Sequence, residues 1–313
     1  MHDMHGRKGQ DFELEFQEKL LRILTKEQVL VAEPMSRHTT FRVGGPADYY
    51  LKPNAAQIKE VLALCEKESV PVQIIGNGSN LLVGDGGVRG VVLEIGSGMD
   101  GLTIEGNVIT AQAGASLARI AQEAAKASLS GLEFASGIPG TVGGAVVMNA
   151  GAYGGEIRDV LKWADVLLPE GEIHRFTTEE LHLSYRHSIV PELSGVVLAA
   201  AFALEQGERI QIREHMEELR VRRVAKQPLE YPSAGSTFKR PEGHFAGKLI
   251  MDAGLKGYRV GGAQVSEKHC GFVINREHAT AADILKLMQE VQDKVQICFG
   301  VQLEPEVKLI GEF

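Results

Sequence analysis

Apolar positions along this chain recur at two spacings, and the changes of spacing divide it into elements. Helical spacing relates Leu20, Leu21, Ile23 and Leu24, which predicts an amphipathic helix over about 12–30, closed by Pro34. The same spacing relates Ile58, Val61, Leu62 and Leu64, and then Leu117, Ile120, Ala121, Ala124 and Ala125. It returns over Ile212–Lys226, stopped by Gln227-Pro228, and over Ala281–Ile297, where Ile284, Leu287, Met288, Val291 and Val295 share one face. Short apolar or alternating runs predict strands at Asp48–Leu51, Val70–Ile75, Val91–Ile95, Trp163–Leu168, Ile173–Phe176, Val196–Leu204 and Glu304–Ile310. Leu102–Gln112 reads as a hairpin turning at Glu105-Gly106-Asn107. The β-α-β order before Gly90 implies a small α/β unit. Strands outnumber helices between 91 and 204, so the fold class is α+β.

Two glycine-rich segments interrupt this pattern. Val70–Ile75 runs into Gly76-Asn77-Gly78-Ser79-Asn80, a strand end whose exposed N–H groups suit a diphosphate. Leu81 stands where a dinucleotide-fold fingerprint needs its last glycine, and no G-x-x-x-x-G-K-[ST] occurs. The second segment joins Gly137-Ile138-Pro139-Gly140 to Gly143, Gly144, Asn149 and Gly151. It has little bulk to bury and much backbone entropy to lose, which a ligand lying on the backbone would offset. The alternatives are a plain tight turn for the first segment and close helix–sheet packing for the second.

The chain has 313 residues and a net charge of −8, which argues against nucleic acid as a partner. Arg220, Arg222, Arg223 and Lys226 cluster locally, as a solvated helix face or a patch beside an anionic substrate. Cys65, Cys270 and Cys298 are isolated, as expected of reduced thiols in a cytoplasmic protein. No Cys/His spacing suggests a metal. Neither a long apolar run nor a signal segment is present, so no membrane association is expected.

Six pieces in order carry a resemblance. They are Gly76-Asn77-Gly78-Ser79-Asn80, Gly137-Ile138-Pro139-Gly140, Asn149-Ala150-Gly151-Ala152-Tyr153-Gly154, Ser184-Tyr185-Arg186-His187-Ser188, Ser233-Ala234-Gly235-Ser236-Thr237-Phe238-Lys239 and Leu303-Glu304-Pro305-Glu306-Val307. Together they resemble the UDP-N-acetylenolpyruvoylglucosamine reductases, flavoenzymes of peptidoglycan precursor synthesis. The resemblance implies an FAD domain of the vanillyl-alcohol-oxidase (PCMH) type over 34–210, made of two α/β subdomains, about 34–98 and 99–210. A helical segment (1–33) would precede it. A smaller α+β substrate domain (211–300) and a C-terminal strand (301–313) carrying Glu306 would follow. It implies FAD and NADPH as cofactors, with FAD held by 76–80, by 137–140, and by Gly143, Gly144, Asn149 and Gly151. The substrate would be a UDP-linked enolpyruvyl amino sugar, with no obligatory protein partner. The short link from Lys226 to Ser236 resembles the shorter type of the family, without the tyrosine-bearing substrate loop. Arg240 stands where many members carry Asn.

Reduction of an enol ether conjugated to a carboxylate needs a cation at the carboxylate and an acid at the adjacent carbon. Arg186 suits the first need, or is a surface salt bridge. Ser236 suits the second, or is a turn serine bonded to its own backbone. Glu306 would repel the substrate carboxylate unless protonated or used to orient a neighbour. Strand alternation puts it on one face with Glu304 and Lys308, a face that is otherwise solvated. The resemblance assigns catalysis to Arg186, Ser236 and Glu306. It assigns substrate binding to Lys226, which faces the diphosphate, with Tyr185 and Arg240. Two competing functions are another flavin oxidase of the same fold and a non-catalytic nucleotide sensor.

Overall fold

The computed structural model describes residues 13–313; residues 1–12 of the expected helical segment lie outside them. The first helix, α1, covers 13–20 and is shorter than its apolar pattern predicts. The Thr25 N–H donates to Gln28 Oε1 at 2.9 Å and turns the chain. Val29–Pro34 then forms a strand, β1, because β-branched Val29 and Val31 pair with Leu51 and Tyr49 of β2 (Pro46–Leu51).

The first sheet has the order β1-β2-β5-β3, with β3 at Val72–Ile75 and β5 at Val88–Glu94. β2, β5 and β3 are parallel, and α2 (Ala55–Lys67) makes the crossover between β2 and β3. Asn54 caps α2, accepting from the N–H groups of Ala56 and Gln57. A short strand, β4 (Leu81–Val83), follows the first glycine turn.

The second sheet is antiparallel, in the order β12-β11-β13-β7-β6. Its strands are β6 (Leu102–Glu105), β7 (Val108–Gln112), β11 (Leu161–Leu167), β12 (Ile173–Thr177) and β13 (Val196–Ala203). The predicted stripe of α3 (Leu117–Lys126) is buried. So is most of α4 (Val142–Val147), which forms although it holds two glycines. Gly143 explains this: a Cβ there would lie 3.0 Å from Ala113 Cβ, so only glycine lets the helix press on the end of β7. Leu51, Ile58 and Leu93 of the first layer share one apolar core with Ile109, Ile120, Val142 and Phe202 of the second.

Two small pairs complete this half. β8 (Leu129–Ser130) pairs with β14 (Glu205–Gln206), and β9 (Gly151–Ala152) with β10 (Gly155–Glu156). The long helix α5 (Arg209–Lys226) leads into the rest of the chain. There α6 (Ala246–Asp252) and α7 (Ala281–Phe299) cover a sheet of β15 (Arg259–Val260), β16 (Ala263–Val265) and β17 (Val273–Asn275). Thr280 caps α7 and Gly300, at φ 68°, ends it. Phe41, Val43 and Leu82 enter this core alongside Leu303 and Val307. The final strand is shorter than predicted: β18 covers only Lys308–Ile310 and pairs in parallel with β4. No helix among the described residues is long and apolar enough to cross a membrane.

Candidate active site

The two glycine segments meet. Asn77 Nδ2 donates to Pro139 O at 3.3 Å, and a Cβ on Gly76 would lie 2.4 Å from Thr141 Oγ1. Gly78 takes φ 60° and lies so close to the chain before it that a Cβ would lie 2.0 Å from His38 O. Among the described residues, no backbone N–H from Gly76 to Asn80 is used in a hydrogen bond. A Cβ on Gly140 or Gly144 would meet its neighbours only at ordinary contact distance, 3.8 Å from Leu117 Cδ1 and 3.6 Å from Thr141 Oγ1. One buried side-chain atom among the described residues has no hydrogen-bond partner, Thr40 Oγ1; the Thr40 N–H donates to Gly78 O. Free N–H donors, a glycine-smooth wall and an orphaned hydroxyl fit a diphosphate-bearing flavin nucleotide.

Not every residue of the two segments faces that cradle. Gly143 is packed against Ala113, its N–H donating to the Ala113 carbonyl at 2.8 Å. Asn149 is fully buried, and its amide donates to Glu156 Oε2 at 3.0 Å and Ser184 O at 3.1 Å. Its Oδ1 accepts from the Arg158 N–H at 3.0 Å, so both amide donors are engaged within the protein. It therefore positions the segment before Arg186. Gly151 lies where a Cβ would be 2.8 Å from Glu156 Cβ, and its carbonyl accepts from Arg186 Nη2 at 3.3 Å.

A cleft of about 830 Å³ brings together Arg186, Ser236 and Glu306, which lie far apart in the sequence. Arg186 Nε donates to Glu306 Oε1 at 2.6 Å. Arg186 has φ 55°, a left-handed backbone that aims its side chain inward. The alternation expected for Glu304, Glu306 and Lys308 fails. Glu304 and Pro305 are exposed, while Glu306 is 9% exposed beside buried Val307. Residues 304–307 are not a regular strand; they are fixed instead by residues 237–239. The Glu306 N–H donates to Thr237 O, and the Lys239 N–H to Glu304 O. The same contact holds Ser236, whose hydroxyl lines the cleft with no partner among the described residues. From the other side, Asn80 Nδ2 donates to Glu306 O at 3.1 Å, and the Lys308 N–H to Asn80 O. The glycine turn and the glutamate are thereby one rigid unit.

Tyr185 and Arg240 line the same cleft, the Arg240 N–H donating to Tyr185 Oη at 3.2 Å. The Arg240 guanidinium lies over the Phe245 ring, 4.4 Å from its centre. Lys226 ends α5 and is exposed; it does not line the cleft with Arg186, Ser236 and Glu306, although, after burial, its charge helps lower the pKa of the cleft residue His269. Lys248, Lys256 and Lys268 line the cleft and were not found in the sequence. They are single lysines on three different segments, and no spacing relates them. The described residues contain no cluster able to hold a metal ion.

Comparison with known proteins agrees with this geometry. Residues 47–177 match a family model described as FAD binding domain. Residues 227–310 match one described as UDP-N-acetylenolpyruvoylglucosamine reductase, C-terminal domain. A UDP-N-acetylenolpyruvoylglucosamine reductase of Agathobacter rectalis is 61% identical over 297 residues, covering 91% of this chain and 95% of the relative. One of Lachnoclostridium phytofermentans is 53% identical over 300 residues, covering 94% and 97%. The crystal structure of the UDP-N-acetylenolpyruvylglucosamine reductase of Thermus caldophilus superimposes with a TM-score of 0.77 at 38% identity, covering 88% of this chain and 97% of that one.

Proposed function

Because the chain belongs to the UDP-N-acetylenolpyruvoylglucosamine reductase family, we propose that its cleft performs the NADPH-dependent reduction of the enolpyruvyl ether to the lactyl ether of UDP-N-acetylmuramate. FAD, held by the backbone of 76–80 and 137–140, would supply hydride chemistry at the terminal carbon of the enolpyruvyl group, with NADPH as its reductant. The residues of this chain do the rest. Negative charge gathers on the substrate carboxylate and its neighbouring carbon as an enediolate. Arg186 meets that charge. Its Nε is held by Glu306 and its Nη2 by Gly151 O, which leaves Nη1 without an acceptor among the described residues. Glu306 therefore acts through orientation, since a carboxylate facing the substrate carboxylate directly would repel it.

Ser236 donates the proton to the carbon. Its hydroxyl is a weak acid, yet the enediolate carbon is far more basic, and Gly235 at φ 76° lets the loop approach. Lys226, with Tyr185 and Arg240, holds the UDP portion. NADPH and substrate occupy the cleft in turn. The three cysteines, none of them disulfide-bonded, support a cytoplasmic setting. The observation that carries this reading is the meeting of Arg186, Ser236 and Glu306 on one cleft beside the flavin cradle. Stopped-flow absorbance at the flavin band tests it. Ser236→Ala keeps flavin reduction by NADPH at the wild-type rate and slows reoxidation by substrate by about 10²–10⁴-fold. Equal slowing of both halves rejects Ser236 as the proton donor.

A further inference from the structure

The basic residues near the end of α5 differ in their partners. Arg220 pairs with Glu217 at 2.6 Å and Arg222 with Glu218 at 2.5 Å, both in solvent. Arg223 turns inward. It has no hydrogen bond or carboxylate partner among the described residues, and burial pushes its pKa down from the usual arginine value. Arg223 is half-buried, and a cation partly withdrawn from water without a counter-charge is destabilised, which an anion beside it would offset. The place of that anion follows from the neighbour. Arg223 Nη1 lies against Gly137, where a Cβ would sit 2.7 Å away. Gly137 is two residues from Pro139, whose carbonyl holds Asn77. A cavity of about 250 Å³ opens beside the guanidinium, bordered by Phe134, Gly137 and Tyr153, with Arg213 and the Arg220–Glu217 pair also on its wall. The cradle itself, residues 76–80 and 137–144, contains no cationic side chain. A dianionic diphosphate on N–H donors alone would be left without charge balance.

We propose that Arg223 is a cofactor-binding residue that balances the FAD diphosphate, rather than a part of the substrate site to which its helix leads. The proposal rests on the flavin reading of the cradle. Glycine at 137 has a second use here, since any side chain would displace the guanidinium.

The test is titration of the flavin-free protein with FAD, followed by quenching of flavin fluorescence, with thermal midpoints measured before and after FAD. R223Q is expected to raise the Kd for FAD by about tenfold or more. R223K, which keeps the charge, recovers most of that affinity, and R222Q, outside the cavity, binds FAD like wild type. The flavin-free R223Q protein keeps or exceeds the wild-type midpoint, because a half-buried cation without a counter-charge has been removed. A role in packing alone would lower it. An R223Q Kd within about twofold of wild type overturns the proposal, as does an equal loss of affinity in R222Q. If R223Q lowers the flavin-free midpoint by several degrees, R223K decides: wild-type affinity supports the proposal, and a loss equal to that of R223Q overturns it. Wild-type protein that takes up no FAD would sink the flavin reading itself, a different result.

Discussion

Asn149 is fully buried, and its three hydrogen bonds tie the β9–β10 hairpin to the segment that carries Arg186. Asn149→Ala leaves the Ser184 carbonyl and the Arg158 N–H without their partner. We expect a loss of about 2–3 kcal/mol of stability, read as a lower thermal midpoint. Flavin reoxidation by substrate should also slow, while FAD affinity stays near wild type. The sequence drew attention to Asn149 through its glycine-rich segment and the family motif it opens, which placed it with the cofactor. Its role depends on Glu156 and Ser184, which fold onto it. The left-handed backbone of Arg186 was equally invisible, since arginine carries no preference for it.

Elements were most legible where one face is buried along several turns, as in α3 and α7. They were least legible where tertiary contacts replace local pattern. Residues 304–307 read as an alternating strand, yet Pro305 makes only an isolated bridge to Phe238, and Glu306 turns inward. The turn from Ser266 to Phe272 is a second case. Ser266 Oγ accepts from the N–H groups of Lys268 and His269, and the Gly271 N–H donates to His269 Nδ1 at 3.1 Å. That bond assigns the ring proton to Nε2 in the neutral form. Burial, aided by Lys226, holds the His269 pKa below its ordinary value. Below about pH 6.5 the unfolded chain therefore binds a proton that the folded state resists. Stability is full above that value and falls as pH drops through it. In His269→Gln the fall between pH 7 and pH 5 should be smaller, as measured by the urea midpoint at each pH. An unchanged pH slope would show that other groups dominate.

The whole molecule has a large core beneath the two main sheets and another beneath α6 and α7, with the cleft between the elements that each supports. The α+β class was legible from strand and helix order. The sharing of one core by the two expected subdomains was not, because apolar periodicity shows that a face is buried without showing what buries it. The cores also sort the thiols. Burial pushes Cys65 up to about 12, raises Cys270 less, and leaves Cys298 exposed. A thiolate-trapping reagent should therefore label Cys298 quickly in the native protein and reach Cys65 only on unfolding. Rapid labelling of two or more sites in the native state would contradict this packing.

The bond between Asn80 and Glu306 closes a span of 226 residues. Contacts so distant in the chain are costly to close and form late in folding. A chain still emerging from the ribosome, with its first sheet already assembled, has no Glu306 to orient Arg186. Docking of the segment that carries Glu306 is therefore what gives Arg186 its carboxylate partner.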